Sequence, residues 1–485
     1  MGLDEIPLRF IKLLLPLLIP YITYVFNKIL SSSEYPTAWK DAKIIPVHKK
    51  SSTFQANDFR PISILPALSK ALETIMKTQI SSYLSENNLL CSVQSGFRRY
   101  HSTESALLNV TSDVRLNTDL KHISLLLLLD FSKAFDTVNH NLLCSKLKNN
   151  FKFSSSAIKL IKSYLCDRRQ CVIMNQIISS FLPMPTGVPQ GSVLGPLLFT
   201  IFINDLPDII SHCTSQLFAD DVQIYCSGKQ KELSQTVEKV NADLQSVAVW
   251  AESNGLMLNA TKTQAIVINN KTDTHIPPIL LNGTVIEISQ TVKNLGVIFD
   301  NKLNFKKHAA SIVSKIYSTL YRLRKLAPYT PFTIKKRLIK MLCIPHITYC
   351  TTVTSQLDAL SLRKIELAYN ACTRYIFGLR KFDHISPYRH KLLGCSIFQY
   401  IKFRWSFYLF RLLIYKQPRY LYDRISYGPS ERSCNLKILR NSSSQLNASF
   451  FVRGVAQWNE LPINIKKANS CREFKIKCLD YYSAH

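Results

Sequence analysis

Five consecutive leucines, Leu125 to Leu129, closed by Asp130, restrict the fold of this chain more than any other feature. A continuous apolar run suits a strand covered on both faces or a buried helix, and a run this short favours the strand. Asp130 then stands at a strand end, where a core element opens onto a cleft. A second segment repeats the arrangement: Ser215 to Ala219 reads as a strand, Asp220 and Asp221 follow, and Val222 to Tyr225 resumes the β pattern. This predicts a hairpin with both carboxylates at its tip.

The rest of the chain mixes short β patterns with longer helical ones. Residues 1 to 40 read as two helical pieces ending in the Ser31 to Ser33 turn. Leu13 to Phe26 is apolar after Arg9 and Lys12, like a signal peptide, but it is too short to span a bilayer, contains Pro16 and Pro20, and precedes no Ala-x-Ala-like cleavage site. A buried helix without stable membrane association is expected there. A β pattern from Asp41 to Val47 runs into Lys49 and Lys50, the stretch Asn57-Asp58-Phe59-Arg60-Pro61 breaks it, and a helix follows from about Ala67 to Asn87. After Ile268 comes a loop rich in Thr, Asn and Pro, then short strands near Val285 and Gly296. Beyond His308 the pattern turns helical and basic, so a domain change is expected near residue 301.

Charge follows the same division. Residues 1 to 300 hold 28 Lys and Arg against 24 Asp and Glu, whereas residues 301 to 485 hold 33 against 8. A polyanion binds such a surface through counterion release, so the C-terminal part reads as a nucleic-acid platform rather than a merely solvated face. The 46% hydrophobic content excludes general disorder. The thirteen cysteines contain no C-x2-C pair, and Cys166 with Cys171 or Cys471 with Cys478 lack zinc-knuckle spacing. Reduced thiols in an intracellular protein are expected.

Nucleotidyl transfer uses two divalent cations, one activating a primer 3′-hydroxyl and one holding the triphosphate. Hard oxygen ligands suit Mg²⁺ or Mn²⁺, and Asp130 with Asp220 and Asp221 could supply them. An Asp-Asp pair by itself is most often a solvated turn, so the surrounding residues decide.

Those surroundings resemble the ordered motifs of reverse transcriptases from non-long-terminal-repeat retrotransposons, especially the jockey and CR1-like groups. Leu129-Asp130-Phe131-Ser132-Lys133-Ala134-Phe135-Asp136 resembles their motif A, Gly187-Val188-Pro189-Gln190-Gly191-Ser192-Val193-Leu194-Gly195-Pro196 their motif B, and Phe218-Ala219-Asp220-Asp221 their motif C. The order continues in Arg60-Pro61-Ile62-Ser63, Gln94-Ser95-Gly96-Phe97-Arg98, Gly255 to Asn259 through Lys262-Thr263, and Asn294-Leu295-Gly296-Val297. Gly2-Leu3-Asp4 and Trp458-Asn459 before Leu461-Pro462 extend the resemblance over essentially the whole chain.

The resemblance implies an α+β right-hand polymerase: N-terminal helices and fingers over 1–120, a palm with an antiparallel sheet over 121–300, a helical basic thumb over 301–390 and a basic, mainly helical C-terminal region over 391–485, with the reverse transcriptase domain at 40–300. It implies an RNA-directed DNA polymerase with an RNA template, a DNA primer or target, dNTPs and two Mg²⁺ or Mn²⁺ ions held by Asp130, Asp220 and Asp221. Lys49 or Lys50, with Arg60, would meet the incoming triphosphate, as a guanidinium and an ammonium both suit that anion. Gln190 and Gly191 would lie against the nascent base pair, and Lys262 would protonate the departing pyrophosphate or be an ordinary surface lysine. Phe135 would be the steric gate against a ribose 2′-hydroxyl; as a bare aromatic after an apolar strand it would be core. Asp136 also suits an RNA-making polymerase, but the Pro-Gln-Gly block and Phe135 favour a deoxynucleotide product. Neither an endonuclease nor a zinc knuckle is visible, so a 5′-truncated copy or a partial gene model is expected, with the protein in the nucleus and cytoplasm. The alternative is a catalytically idle nucleic-acid-binding remnant, which the intact acids oppose.

Overall fold

The computed structural model describes residues 2–49, 55, 58–175, 177–269, 275–355, 357–429, 433–438 and 444–484. The chain opens with helix α1 (Leu8–Ser32), a single 25-residue helix through Pro16 and Pro20 where two pieces are expected. Each proline lacks one N–H and so removes one intrahelical bond at a cost of about 3 kcal/mol without ending the helix. Nor is the apolar stretch buried. Only Phe26 and Ile29 are, while Leu13, Leu17, Tyr21 and Tyr24 are each more than 70% exposed along one face. By length and composition α1 is long and apolar enough to cross a membrane. The shortness argued from Leu13 to Phe26 therefore does not hold, because the helix runs several residues further in both directions.

Strand β1 (Ala42–His48) pairs antiparallel with β2 (Phe59–Ile64), with Val47 opposite Arg60. The expected break at Phe59 to Pro61 is thus the start of a strand, since pairing with β1 overrides the turn-like Asp-Phe-Arg-Pro sequence. Helix α2 (Ala67–Glu86) follows, and then α3 (Thr103–Asp119), which starts on a reciprocal capping box between Ser102 and Ser105. Strand β3 (Ile123–Leu129) and the two-residue β4 (Phe131–Ser132) flank Asp130. Helices α4 (His140–Asn149) and α5 (Ser155–Leu165) lead to β5 (Arg169–Met174), parallel to β1, with the short β6 (Ile177–Ile178) and β7 (Leu182–Pro183) beside it.

Helix α6 (Gly195–Phe202) precedes the hairpin of β8 (Thr214–Phe218) and β9 (Asp221–Gly228). Helix α7 (Leu233–Ser253), β10 (Met257–Leu258) and β11 (Gln264–Ile268) complete an antiparallel sheet of order β11-β3-β9-β8. Both faces of this sheet are covered, which is why its central strand reads as an unbroken apolar run. Leu125, Leu127 and Leu129 enter one core with α4, α6 and α7, while Leu126 enters another with Leu107, Leu108 and Val110 of α3. Full burial of each leucine contributes about 1.5–3 kcal/mol.

The second core continues into the basic half of the chain. Beyond the hairpins β12 (Ile279–Leu281) with β13 (Thr284–Ile286) and β14 (Thr291–Asn294) with β15 (Val297–Asp300), helices α8 (Lys306–Lys325), α9 (Phe332–Leu342), α10 (Ile344–Thr348) and α11 (Ala359–Phe377) pack on it. The short α12 (Ser386–Arg389), then α13 (Ile397–Tyr415) and the single turn α14 (Arg419–Tyr422) follow, with further helices to Ala484. Ile312, Ile316, Ile365 and Phe410 thereby join Leu107, Leu126 and Tyr225 in one continuous cluster.

Candidate active site

Asp130 leaves the end of β3 and its backbone carbonyl accepts from Asn259 N at 2.8 Å, so β4 and β10 are closed beside it. Asp220 and Asp221 occupy the β8–β9 turn, where Phe218 pairs with Asp221. Burial raises the Asp220 carboxyl above the usual carboxylate range, with Asp130 adding to the shift and Arg60 opposing it. Asp221 is pushed up to about 6 by loss of solvent in the cleft and then by its neighbours Asp220 and Asp130. The three acids are thus within electrostatic reach of one another, and Arg60 is within reach of Asp220. Lys262 Nζ lies 3.7 Å from Asp130 Oδ2, and a cleft of about 140 Å³ is lined by Asp130, Asp221, Lys262 and Lys293.

The acidic turn is held by the segment Val93 to Gly96. Leu217 N donates to Val93 O (3.0 Å) and Ser95 N to Leu217 O (2.8 Å), while Gln94 Oε1 accepts from Ala219 N (3.0 Å) and Gly96 N (2.7 Å). Ala219 takes a left-handed φ of 56°, which opens the tight turn. A Cβ on Gly96 would lie 2.3 Å from Ala219 N, so only glycine permits this approach.

Downstream of Asp130, residues 133 to 138 are strapped to residues 186 to 191. Val188 N donates to Phe135 O and Gly187 N to Val138 O, both at 2.8 Å, and Gln190 Nε2 donates to Asp136 Oδ1 at 2.9 Å. Asp136 is raised above its ordinary value by burial, against the opposing effect of Gln190, Lys133 and Lys49. Gly191 (φ 113°) permits the close approach of β2, with its missing Cβ 2.6 Å from Ser63 O. Phe135 is half-buried, stacked on Phe199 at 4.3 Å with Phe97 edge-on at 6.5 Å. Lys133, Asp136, Ser63 and Gln190 line a second cleft of about 300 Å³.

The structure therefore brings Asp130, Asp221 and Lys262 to one cleft, with Asp220 next to Asp221 and Arg60 within electrostatic reach of Asp220. Gln190 lines the second cleft, bonded to Asp136 and followed by Gly191, while Phe135 stacks on Phe199 and Lys49 acts electrostatically on Asp136. Lys50 lies outside the described residues. Among the described residues no three His, Cys, Asp or Glu side chains stand in a geometry that could hold a metal ion, so the acids share the cleft without closing on a point. Their chemistry nevertheless fits a divalent cation. Hard carboxylate oxygens that raise one another's pKa gain when a cation neutralises them. Sequence reasoning missed Lys293, which carries no local signal, and the load placed on Gln94, which follows only from β8 being close.

A buried central antiparallel sheet with acids at its strand ends and an arginine of β2 within their electrostatic reach is an arrangement that suits a palm-type polymerase. Residues 47–299 match the family "Reverse transcriptase (RNA-dependent DNA polymerase)", and the chain belongs to that family. It is 29% identical over 388 residues to "RNA-directed DNA polymerase from mobile element jockey" of Drosophila melanogaster, covering 78% of this chain and 42% of that protein. It is 31% identical over 335 residues to "Probable RNA-directed DNA polymerase from transposon BS" of the same organism, covering 67% and 36%. The chain thus spans less than half the length of these relatives. A solved telomerase from Candida tropicalis is 12% identical, with a TM-score of 0.44 over 80% of this chain and 70% of that one, a likeness too distant to argue from.

Proposed function

We propose that this chain extends a DNA primer along an RNA template, as the polymerase of a non-long-terminal-repeat retrotransposon, with dNTPs as substrates. The observation that carries this reading is the electrostatic coupling of Asp130, at the end of β3, with Asp220 and Asp221 at the β8–β9 turn. Two Mg²⁺ or Mn²⁺ ions bound by these three acids would activate the primer 3′-hydroxyl and neutralise the triphosphate. Arg60, exposed on β2 within reach of Asp220, binds the anionic triphosphate, aided by Lys49. Lys262, 3.7 Å from Asp130, balances its charge and gives a proton to departing pyrophosphate. Phe135, backed by Phe199, excludes a 2′-hydroxyl.

In this reading residues 1–120 act as fingers, 121–300 as palm, 301–390 as thumb and 391–485 as a basic C-terminal region, and the protein works in the nucleus and cytoplasm. The test is primer extension on RNA with Mg²⁺ or Mn²⁺. Asp130→Asn and Asp220→Asn keep shape and remove charge, and each should lower kcat by at least about 10²–10³-fold. Unchanged turnover in both variants removes these acids from the reaction.

A further inference from the structure

Gln216 sits in the middle of β8 and is fully buried, so its amide must find partners inside the protein. Its Nε2 donates to Val93 O at 2.6 Å and to Ser95 Oγ at 3.1 Å, and its Oε1 accepts from Asn109 Nδ2 at 2.9 Å. These partners lead away from the cleft toward the far end of the chain. Ser95 Oγ is 2.6 Å from Tyr420 OH, which also donates to Ser105 Oγ at 3.1 Å. One turn further on, Arg424 donates to Asn109 Oδ1 and to Asp113 Oδ1, both at 2.7 Å, and Asp113 Oδ2 accepts from Tyr225 OH of β9 at 2.5 Å.

The geometry is a register of two helical stripes. Ser105, Asn109 and Asp113 recur every four residues on one face of α3, and Tyr420 and Arg424, also four apart, meet them. Both strands of the acidic hairpin are thereby tied to residues beyond position 299, where the family match ends. Ser95 is the joint of this chain, because its N–H holds Leu217 while its hydroxyl meets Tyr420.

We propose that Tyr420 and Arg424 are positioning residues of the polymerase centre: α14 and the residue turn after it hold the Asp220-Asp221 hairpin in place through Ser95, Gln216, Asp113 and Tyr225. The hairpin carries like charges that repel, so its geometry depends on ties from behind. Low dielectric around fully buried Gln216 makes a chain of hydrogen bonds there cooperative, and a lost link costs more than one exposed bond. A small displacement of reacting groups suffices to lower turnover strongly. This inference rests on the polymerase reading only for its kinetic arm.

Tyr420→Phe removes one oxygen and tests it in the full-length chain. In metal-free protein, amide hydrogen exchange over residues 215–222 should quicken several-fold. In primer extension kcat should fall by about tenfold or more, with the KM for dNTP and the Kd for RNA–DNA hybrid within twofold of wild type. Ser95→Ala should do the same, and the double variant should lose no more than either single one, as links of one chain do. Arg424→Lys should retain more turnover than Arg424→Met. Unchanged exchange and kcat in Tyr420→Phe overturns the proposal, and so does loss of hybrid affinity with exchange unchanged, which would make this segment a nucleic-acid contact. A wild-type protein that extends no primer overturns the polymerase reading, while the exchange measurement still decides the coupling. Should Tyr420→Phe not fold, Ser95→Ala gives the same decision from the other side of the bond.

Discussion

Phe135 is a side chain whose packing bears directly on the proposed sugar selection. Its ring is half-buried against Phe199, so the core reading and the gate reading describe two faces of one group. Phe135→Val should lower the dNTP over rNTP ratio of kcat/KM by at least about tenfold, because discrimination comes from differential transition-state binding. It should also cost up to about 3 kcal/mol of stability from the lost stacking on Phe199. A folded variant with the wild-type ratio refutes the gate. A second single residue makes the stability of the fold sensitive to acid. His308, 4% exposed at the start of α8, accepts at Nδ1 from Ile298 N at 3.4 Å and is held down to about 4 by burial first, then by Lys315. The unfolded imidazole takes its proton near pH 6.5 and the folded one only near 4, so stability contributed by the neutral ring is present above about 6.5 and is lost as pH falls toward 4. The unfolding free energy from denaturant titration should fall by on the order of 3 kcal/mol over that interval, and His308→Gln should flatten the profile. An identical pH profile in the variant assigns the acid sensitivity elsewhere.

The β8–β9 hairpin is the element that carries two of the three proposed metal-binding acids, and its turn tolerates nothing larger than hydrogen at Gly96. Gly96→Ala forces a Cβ to within 2.3 Å of Ala219 N and must displace the acidic turn or the segment that holds it. It should cost roughly 1–3 kcal/mol of stability and lower kcat by about 10²-fold. Wild-type turnover in that variant would show that the clamp is not needed. Elements of this kind were legible in the sequence wherever a local pattern dictated them. The leucine run ending in Asp130 and the strand on each side of Asp220-Asp221 were readable because two-sided burial and a tight turn leave direct traces in residue type. The helix from Ala67 and the short strands around Val285 and Gly296 were readable in the same way. Where pairing with a distant partner decides the outcome, the sequence misleads. Arg60-Pro61 looks like a turn and becomes a strand because β1 accepts it. The prolines of α1 look like stops, yet the helix continues, and nothing in its apolar composition says which of its residues are buried. Among site residues, the acids announce themselves by position at strand ends. Gln94, Lys293 and Tyr420 act through neighbours far away in sequence, and no periodicity marks them.

Across the whole molecule, the charge division and the packing division do not coincide, and that decides how the basic half can be tested. Removing residues beyond about 300 would strip Ile312, Ile316 and Phe410 from the cluster that covers Leu107, Val110 and Leu126, so such a truncation would expose the back of the central sheet and report on folding instead of binding. The charges themselves can be removed in place. Arg322, Lys325, Arg337 and Lys340 are exposed on α8 and α9, within the 301–485 region that holds 33 basic residues against 8 acidic ones. Each residue that contacts phosphate releases counterions on binding, and its loss should lower the slope of log affinity against log salt by about 0.7–0.9. Changing all four to Gln should therefore reduce the slope by up to about 3–4 for an RNA–DNA hybrid, weaken binding most at low salt, and leave the melting temperature nearly unchanged because surface charges of this kind contribute little to stability. Template sequence should matter little to the size of the loss, since backbone charge and helix shape carry no base information. An unchanged salt slope in the folded quadruple variant would show that these charges keep the protein soluble and that the hybrid is held by other surfaces.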